Sequence, residues 1–339
     1  MTSELSLGLQ LGYWQAQPPA DPLDRVLAAE DAGYESVYTA EAYGSDVFSP
    51  LCWIGARTSR IKLATGITQL SARTPACTAM TAATIDHLSG GRLQLGLGVS
   101  GPQVVEGWYG QSFSKPLART REYIQIMRDI WAREAPVTND GDQYPLPLPG
   151  GMGLGKPLKI TTHPLRPDIP VFLGAEGPKN VALAAEIADG WLPIFYSPEH
   201  SPRMYDEPLA GAPDGFTIAC PVNVIVTDDV AAGINQMKAT LGFYIGGMGA
   251  KDANFHKNVV SRMGFEDAAE DIQDLFYADR RKEAIAAVPD ELADGIALIG
   301  PPERIRERLE LWRASQVTTL IVSAPTVEDV RTIADLVLT

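Results

Sequence analysis

Residues 74–102 read TPACTAMTAATIDHLSGGRLQLGLGVSGP, a helix, a two-glycine break, an apolar strand and a glycine-rich loop. Thr74 is placed to cap the helix with Pro75 at its first position, and Gly90 and Gly91 to end it. Leu93 to Val99 is short and apolar enough to be covered on both faces, as a parallel strand between helices is. The stretch is one helix-to-strand step of an alternating α/β fold.

Outward from it the same grammar repeats. Leu5, Leu7, Leu9 and Leu11 alternate with small or polar residues and predict a first strand over 5–13. Asp21, Pro22 and Gly33 bracket a helix. Further strands are expected at 36–40, 61–68, 171–174, 191–194, 216–226 and 319–323, with helices between them. Eight alternating units favour one (β/α)8 TIM barrel over residues 1–339. Two passages interrupt it: a proline- and glycine-dense, irregular insertion at 136–170, and a mostly helical insertion at 228–291 that includes IGGMGA at 245–250.

Composition narrows the function classes. Lys and Arg total 28 against 42 Asp and Glu, a net charge of −14, which argues against nucleic acid or an anionic membrane surface as partner. Cys52, Cys77 and Cys220 are far apart, and His87, His163, His200 and His256 show no ligand spacing, so neither a disulfide framework nor a metal is expected. The start of the chain lacks secretory features and no window is apolar enough to span a membrane, so a reducing, cytoplasmic setting is expected.

Gly96, Gly98 and Gly101 spell G-x-G-x-x-G after a strand, and three readings stay open. A dinucleotide fingerprint normally sits at the first strand of its domain and opens a helix on its third glycine, whereas about three βα units precede this one. The glycines serve close helix–strand packing in a second reading, and in a third they bare the backbone for a flat ligand at the C-terminal mouth of a barrel. Ser100 lies in G-x-S-G, not G-x-S-x-G, which excludes a serine hydrolase elbow.

Taken together, ESVYTAEAYGSD, IKLATGITQ, RTPA, DHLSGGRLQLGLGVSG, GAEGPKN, AAEIADGW and GPPERIRERLELW resemble, in order and spacing, the bacterial-luciferase-like superfamily, and within it the actinobacterial F420-dependent oxidoreductases. The resemblance implies a luciferase-like barrel with insertions, a flavin or deazaflavin across its C-terminal mouth, and a homodimer. It implies a cis peptide at Gly66–Ile67 supporting one face of the ring system, with Gly98, Val99 and Ser100 beside it. It also places the coenzyme phosphate or tail at Gly174, Ala175, Glu176, Gly177, Pro178, Lys179 and Asn180. There a strand, a turn at Gly177 and a helix opened by Pro178 leave the amides of Lys179, Asn180 and Val181 to face an anion. Arg73 is a second candidate for that anionic tail.

The chain departs from sugar-phosphate and alcohol dehydrogenases of this branch. Their acid–histidine pair reads Glu41-Ala42 here, and the glutamate of the loop after the fourth strand is replaced by Ser100-Gly101-Pro102. Glu41 remains a candidate proton donor or ring contact, with Tyr43, Glu106 and Tyr109 as further candidates. The expected activity is hydride transfer between the C5 of coenzyme F420 and a small organic substrate. The alternatives are an FMN-dependent monooxygenase and a non-catalytic cofactor-binding protein of the same fold.

Overall fold

The computed structural model describes residues 5–249, 251 and 254–339. Its strands are β1 (Ser6–Gln10), β2 (Ser36–Thr39), β3 (Lys62–Thr65), β4 (Thr68–Gln69), β5 (Leu93–Gly98), β6 (Val171–Gly174), β7 (Gly190–Leu192), β8 (Thr217–Val226), β9 (Ala297–Gly300) and β10 (Thr319–Ser323). All pairings between them are parallel, and the order β1-β2-β3-β5-β6-β7-β8-β10 closes when β10 pairs with β1. The eight expected strands are these eight, so the fold is a (β/α)8 barrel. The third is broken at the cis Gly66–Ile67 peptide, beyond which β4 continues along β5.

Each wall position has a reason in side-chain volume. Leu5, Leu7 and Leu9 turn outward into the layer between barrel and helices, while the intervening Gly8 faces inward. A Cβ on Gly8 would lie 2.7 Å from the Tyr38 ring, and one on Gly190 would lie 2.7 Å from Phe172. Glycine is therefore what lets large rings fill so narrow an interior. Tyr38, Ala64, Phe172, Leu192, Ala219 and Ile321 form that inner core. The helix Pro75–Ser89 begins and ends as its sequence indicates: Thr74 Oγ1 accepts from the Cys77 amide at 3.3 Å, and Gly90 adopts φ +70°. Asp21 differs, since it stands at φ +42° and makes no side-chain cap.

β9 was not expected. The ten-residue β8 outruns its neighbours, and its last four residues, Asn223–Val226, pair with β9 instead of presenting a bare edge. Between Arg133 and Pro170 the chain holds two isolated bridges and no helix or strand. From Val230 to Gly295 it is mainly helical; Ala250, the end of the glycine-rich 245–250 segment, lies outside the described residues. Among the described residues no helix is long and apolar enough to cross a membrane.

Candidate active site at the C-terminal rim

The barrel registers bring the candidate residues to one end. Gly98 pairs with Gly174, Gln69 pairs with Gly98, and Gln69 Nε2 donates to the Glu41 carbonyl at 3.0 Å. Glu41, Gly66, Gly98 and Gly174 thus share the rim where barrel strands end, which is where such folds place chemistry. Ser100 (φ +60°) and Phe195 (φ +55°), just past β5 and β7, hold left-handed backbone that non-glycine residues adopt at some cost.

Glu41 and Arg73 are spent on each other. The Arg73 guanidinium donates through Nη1 to Glu41 Oε1 at 2.8 Å and Oε2 at 2.9 Å, and the Gln69 amide donates to Oε2 at 3.1 Å. The Glu41 side chain is only 4% exposed, and Arg73 also lies 4.9 Å above the Phe48 ring. Glu41 therefore acts as an acceptor that fixes the β4 segment. Around it, the Tyr109 hydroxyl donates to the Ala42 carbonyl at 3.2 Å; burial raises its phenol and neighbouring Glu41 adds to the rise, against Arg73. Tyr43 is exposed, and so is Glu106, which accepts from the Phe113 amide at 3.2 Å.

The glycines of the LGLGVSG loop divide by function of space. A Cβ on Gly96 would come 1.9 Å from the Thr65 carbonyl oxygen, so this glycine serves strand packing. A Cβ on Gly98 would meet Ile67 Cδ1 at 2.9 Å, and one on Gly174 would meet Ile67 Cγ2 at 3.1 Å. The Ile67 side chain lies over both, capping the inner core and giving the rim an apolar floor.

At the turn into the helix Pro178–Ile187, Gly177 has φ −78° and ψ 143°, extended backbone open to any residue, and a Cβ there would meet nothing within 4 Å. The turn itself does not demand glycine. Nor are three amides free: those of Asn180 and Val181 donate to the Gly177 carbonyl at 2.8 and 3.0 Å, because the first turn of the helix closes on its cap. That leaves the Lys179 amide, beside an exposed Lys179 side chain.

Glu176 Oε2 and His256 Nδ1 are buried 3.1 Å from each other, whereas Thr68 Oγ1, Gln69 Oε1 and Asn180 Oδ1 are buried with no partner at all. Such atoms are rare in native interiors and point to something outside the chain that completes them. His256 had no signal in the sequence beyond being a histidine. It is placed by the helix Phe255–Val260, whose cap Asn254 accepts from the Lys257 amide at 2.9 Å and donates to the Tyr244 and Ile245 carbonyls at 3.1 and 2.7 Å. The His256 ring packs edge-on against Tyr244 and Phe195, with centroids 5.1 and 5.9 Å away. Tyr13 is 45% exposed; desolvation by the surrounding protein, then Tyr244, pushes its phenol up to about 12. Trp14, Tyr43 and Trp108, on loops after β1, β2 and β5, are also exposed.

Residues 5–319 match the family model described as luciferase-like monooxygenase. A Mycobacterium tuberculosis protein bearing the name coenzyme F420-dependent oxidoreductase is 54% identical over 99% of this chain and 100% of its own length. A 5,10-methylenetetrahydromethanopterin reductase of Archaeoglobus fulgidus is 29% identical over 88% of each chain. Among solved structures, the coenzyme F420-dependent tetrahydromethanopterin reductase of Methanopyrus kandleri superposes with a TM-score of 0.77 at 23% identity, over 99% of both chains. The chain belongs to the luciferase-like monooxygenase family, in the branch that holds these F420-dependent relatives.

Proposed function

We propose that this protein is an F420-dependent oxidoreductase that moves a hydride between the deazaflavin C5 and a small organic substrate at the C-terminal rim. The observation that carries this reading is that Thr68 Oγ1 and Gln69 Oε1, which directly follow the apolar Ile67 floor in the chain, are buried without a hydrogen-bond partner. A flat heterocycle with polar edges suits that combination, and the name of the Mycobacterium tuberculosis relative supports a deazaflavin as that heterocycle. When bound, it supplies a two-electron hydride carrier.

The chain's own residues do the rest. Ile67 backs one face of the ring, on the bed cleared by Gly98 and Gly174. Thr68 Oγ1 and Gln69 Oε1 complete their hydrogen bonding on its polar edge, held in place by the Glu41–Arg73 pair. Gly177, with open space where a side chain would stand, lets the anionic tail approach the Lys179 amide and charge. Tyr13, Trp14, Tyr43 and Trp108 shield the mouth from water. In the same reading the protein works in the cytoplasm as a homodimer on a small molecule, with neither nucleic acid nor membrane as partner.

Parallel fluorescence titrations with F420 and FMN test the reading. Saturable binding of F420 with far weaker FMN binding is expected. Tight FMN binding alone would replace it with the monooxygenase, and binding of neither would leave a non-catalytic barrel.

A further inference from the structure

We propose that His256, held by Glu176, is the acid that gives a proton to a small carbonyl acceptor at the rim, an assignment that rests on the deazaflavin reading above. His256 Nδ1 lies 3.1 Å from Glu176 Oε2, and both atoms are buried without a directed hydrogen bond to any protein group. Nε2, at the other end of the ring, has no hydrogen-bond partner among the described residues and is not among their fully buried unpartnered atoms, so it is accessible. One nitrogen is thus tied to a carboxylate while the other is free to reach a ligand, which is the arrangement of an oriented acid.

The surroundings define the acceptor. Phe195 and the ring of Tyr244 pack edge-on against the imidazole, with Tyr13 next to Tyr244, so an acceptor that reaches His256 lies against aromatic walls. On reduction, the carbonyl carbon takes a hydride, the C=O π pair passes to oxygen, and that oxygen takes the Nε2 proton. The coenzyme loses the two electrons that the carbonyl gains, solvent returns the proton to the imidazole, and Glu176 stays a carboxylate throughout. His256 touches substrate; Glu176 is a positioning residue. The histidine missing after β2 is in this way supplied by the helical insertion.

The test uses the full chain. Carbethoxylation by diethyl pyrocarbonate, read by peptide mass spectrometry, should slow about fivefold or more at His256 when F420 is added and stay unchanged at the exposed His163. In single-turnover oxidation of reduced F420 by 2-cyclohexenone or acetone, His256→Gln should lower the rate about 100-fold or more with F420 affinity retained. Glu176→Gln should lower kcat about tenfold and leave KM unmoved, a split that a merely structural role would not give. Failure of the wild type to bind F420 defeats the function proposed above, whatever His256 does. With F420 bound, an unprotected His256, an undiminished His256→Gln, or a wild type inert toward both carbonyls overturns this proposal.

Discussion

At the N-terminal ends of the strands, Ser36, Gln94, Thr217 and the Glu35–Lys62 ion pair line a cavity of about 230 Å³, and none of its lining residues has a buried polar atom without a partner. Burial raises the Glu35 carboxyl, but hydrogen bonds from Lys62 and Ser6 outweigh it and leave the group below its ordinary value. At the C-terminal ends, Thr68 Oγ1, Gln69 Oε1 and Asn180 Oδ1 are left without partners, and Ile67 supplies an apolar floor beside the first two. The other buried atoms without a directed hydrogen bond lie in charged contacts, Glu176 with His256 and Asp294 with Arg308. A closed, self-satisfied polar layer stabilises a barrel, whereas incomplete hydrogen bonding on a rigid rim marks the face prepared for a ligand.

Substitutions at each end sharpen that contrast. Gly96→Ala puts a methyl group against the Thr65 carbonyl, a backbone atom that cannot swing aside, and is expected to cost about 3 kcal/mol or more in a urea melt. Glu41→Gln strands the partly buried Arg73 and should cost about 2 kcal/mol by the same measurement, the partial exposure of Arg73 softening the loss. Gly177→Val should leave the melt within about 0.5 kcal/mol and weaken F420 about tenfold, or about 1.4 kcal/mol. Equal F420 affinity in that variant would move the anionic tail elsewhere.

The smallest effect is at the closed end. Glu30 Oε1 accepts from the amides of Ser59, Arg60 and Ile61 at 2.9, 2.6 and 2.8 Å; burial raises its carboxyl, and these hydrogen bonds outweigh it and hold the group below its ordinary value. A carboxyl lowered on folding contributes its full stability above the unfolded value of about 4.3 and loses it as pH falls through the lower folded value. Melts of the wild type should therefore weaken in acid more steeply than those of Glu30→Gln, by about 1 kcal/mol.

Much of the barrel was legible because its signals are local. Period-two leucines, Thr74-Pro75 and the Gly90-Gly91 stop act within a few residues, and the strands they imply are present. β9 was not legible, since ALIG between two helices becomes a strand only because β8 overhangs the barrel to receive it. The rim was legible as a set of strand ends, but not as chemistry. Glu41 reads as a lone acid until Arg73, far along the chain, closes on it. Gly177 reads as a forced turn, and the structure shows ordinary extended backbone with open space instead. His256 meets Glu176 across 80 positions by way of an insertion whose packing no spacing encodes.

Hydrogen–deuterium exchange of the full chain, with and without saturating F420, compares the two ends in one measurement. The account expects slowed exchange at 65–69, 98–101, 174–181 and 254–258, and none at the cavity-lining segments 35–36, 62 and 318–319. Protection confined to the cavity end, or absent from the rim while F420 is bound, would contradict it.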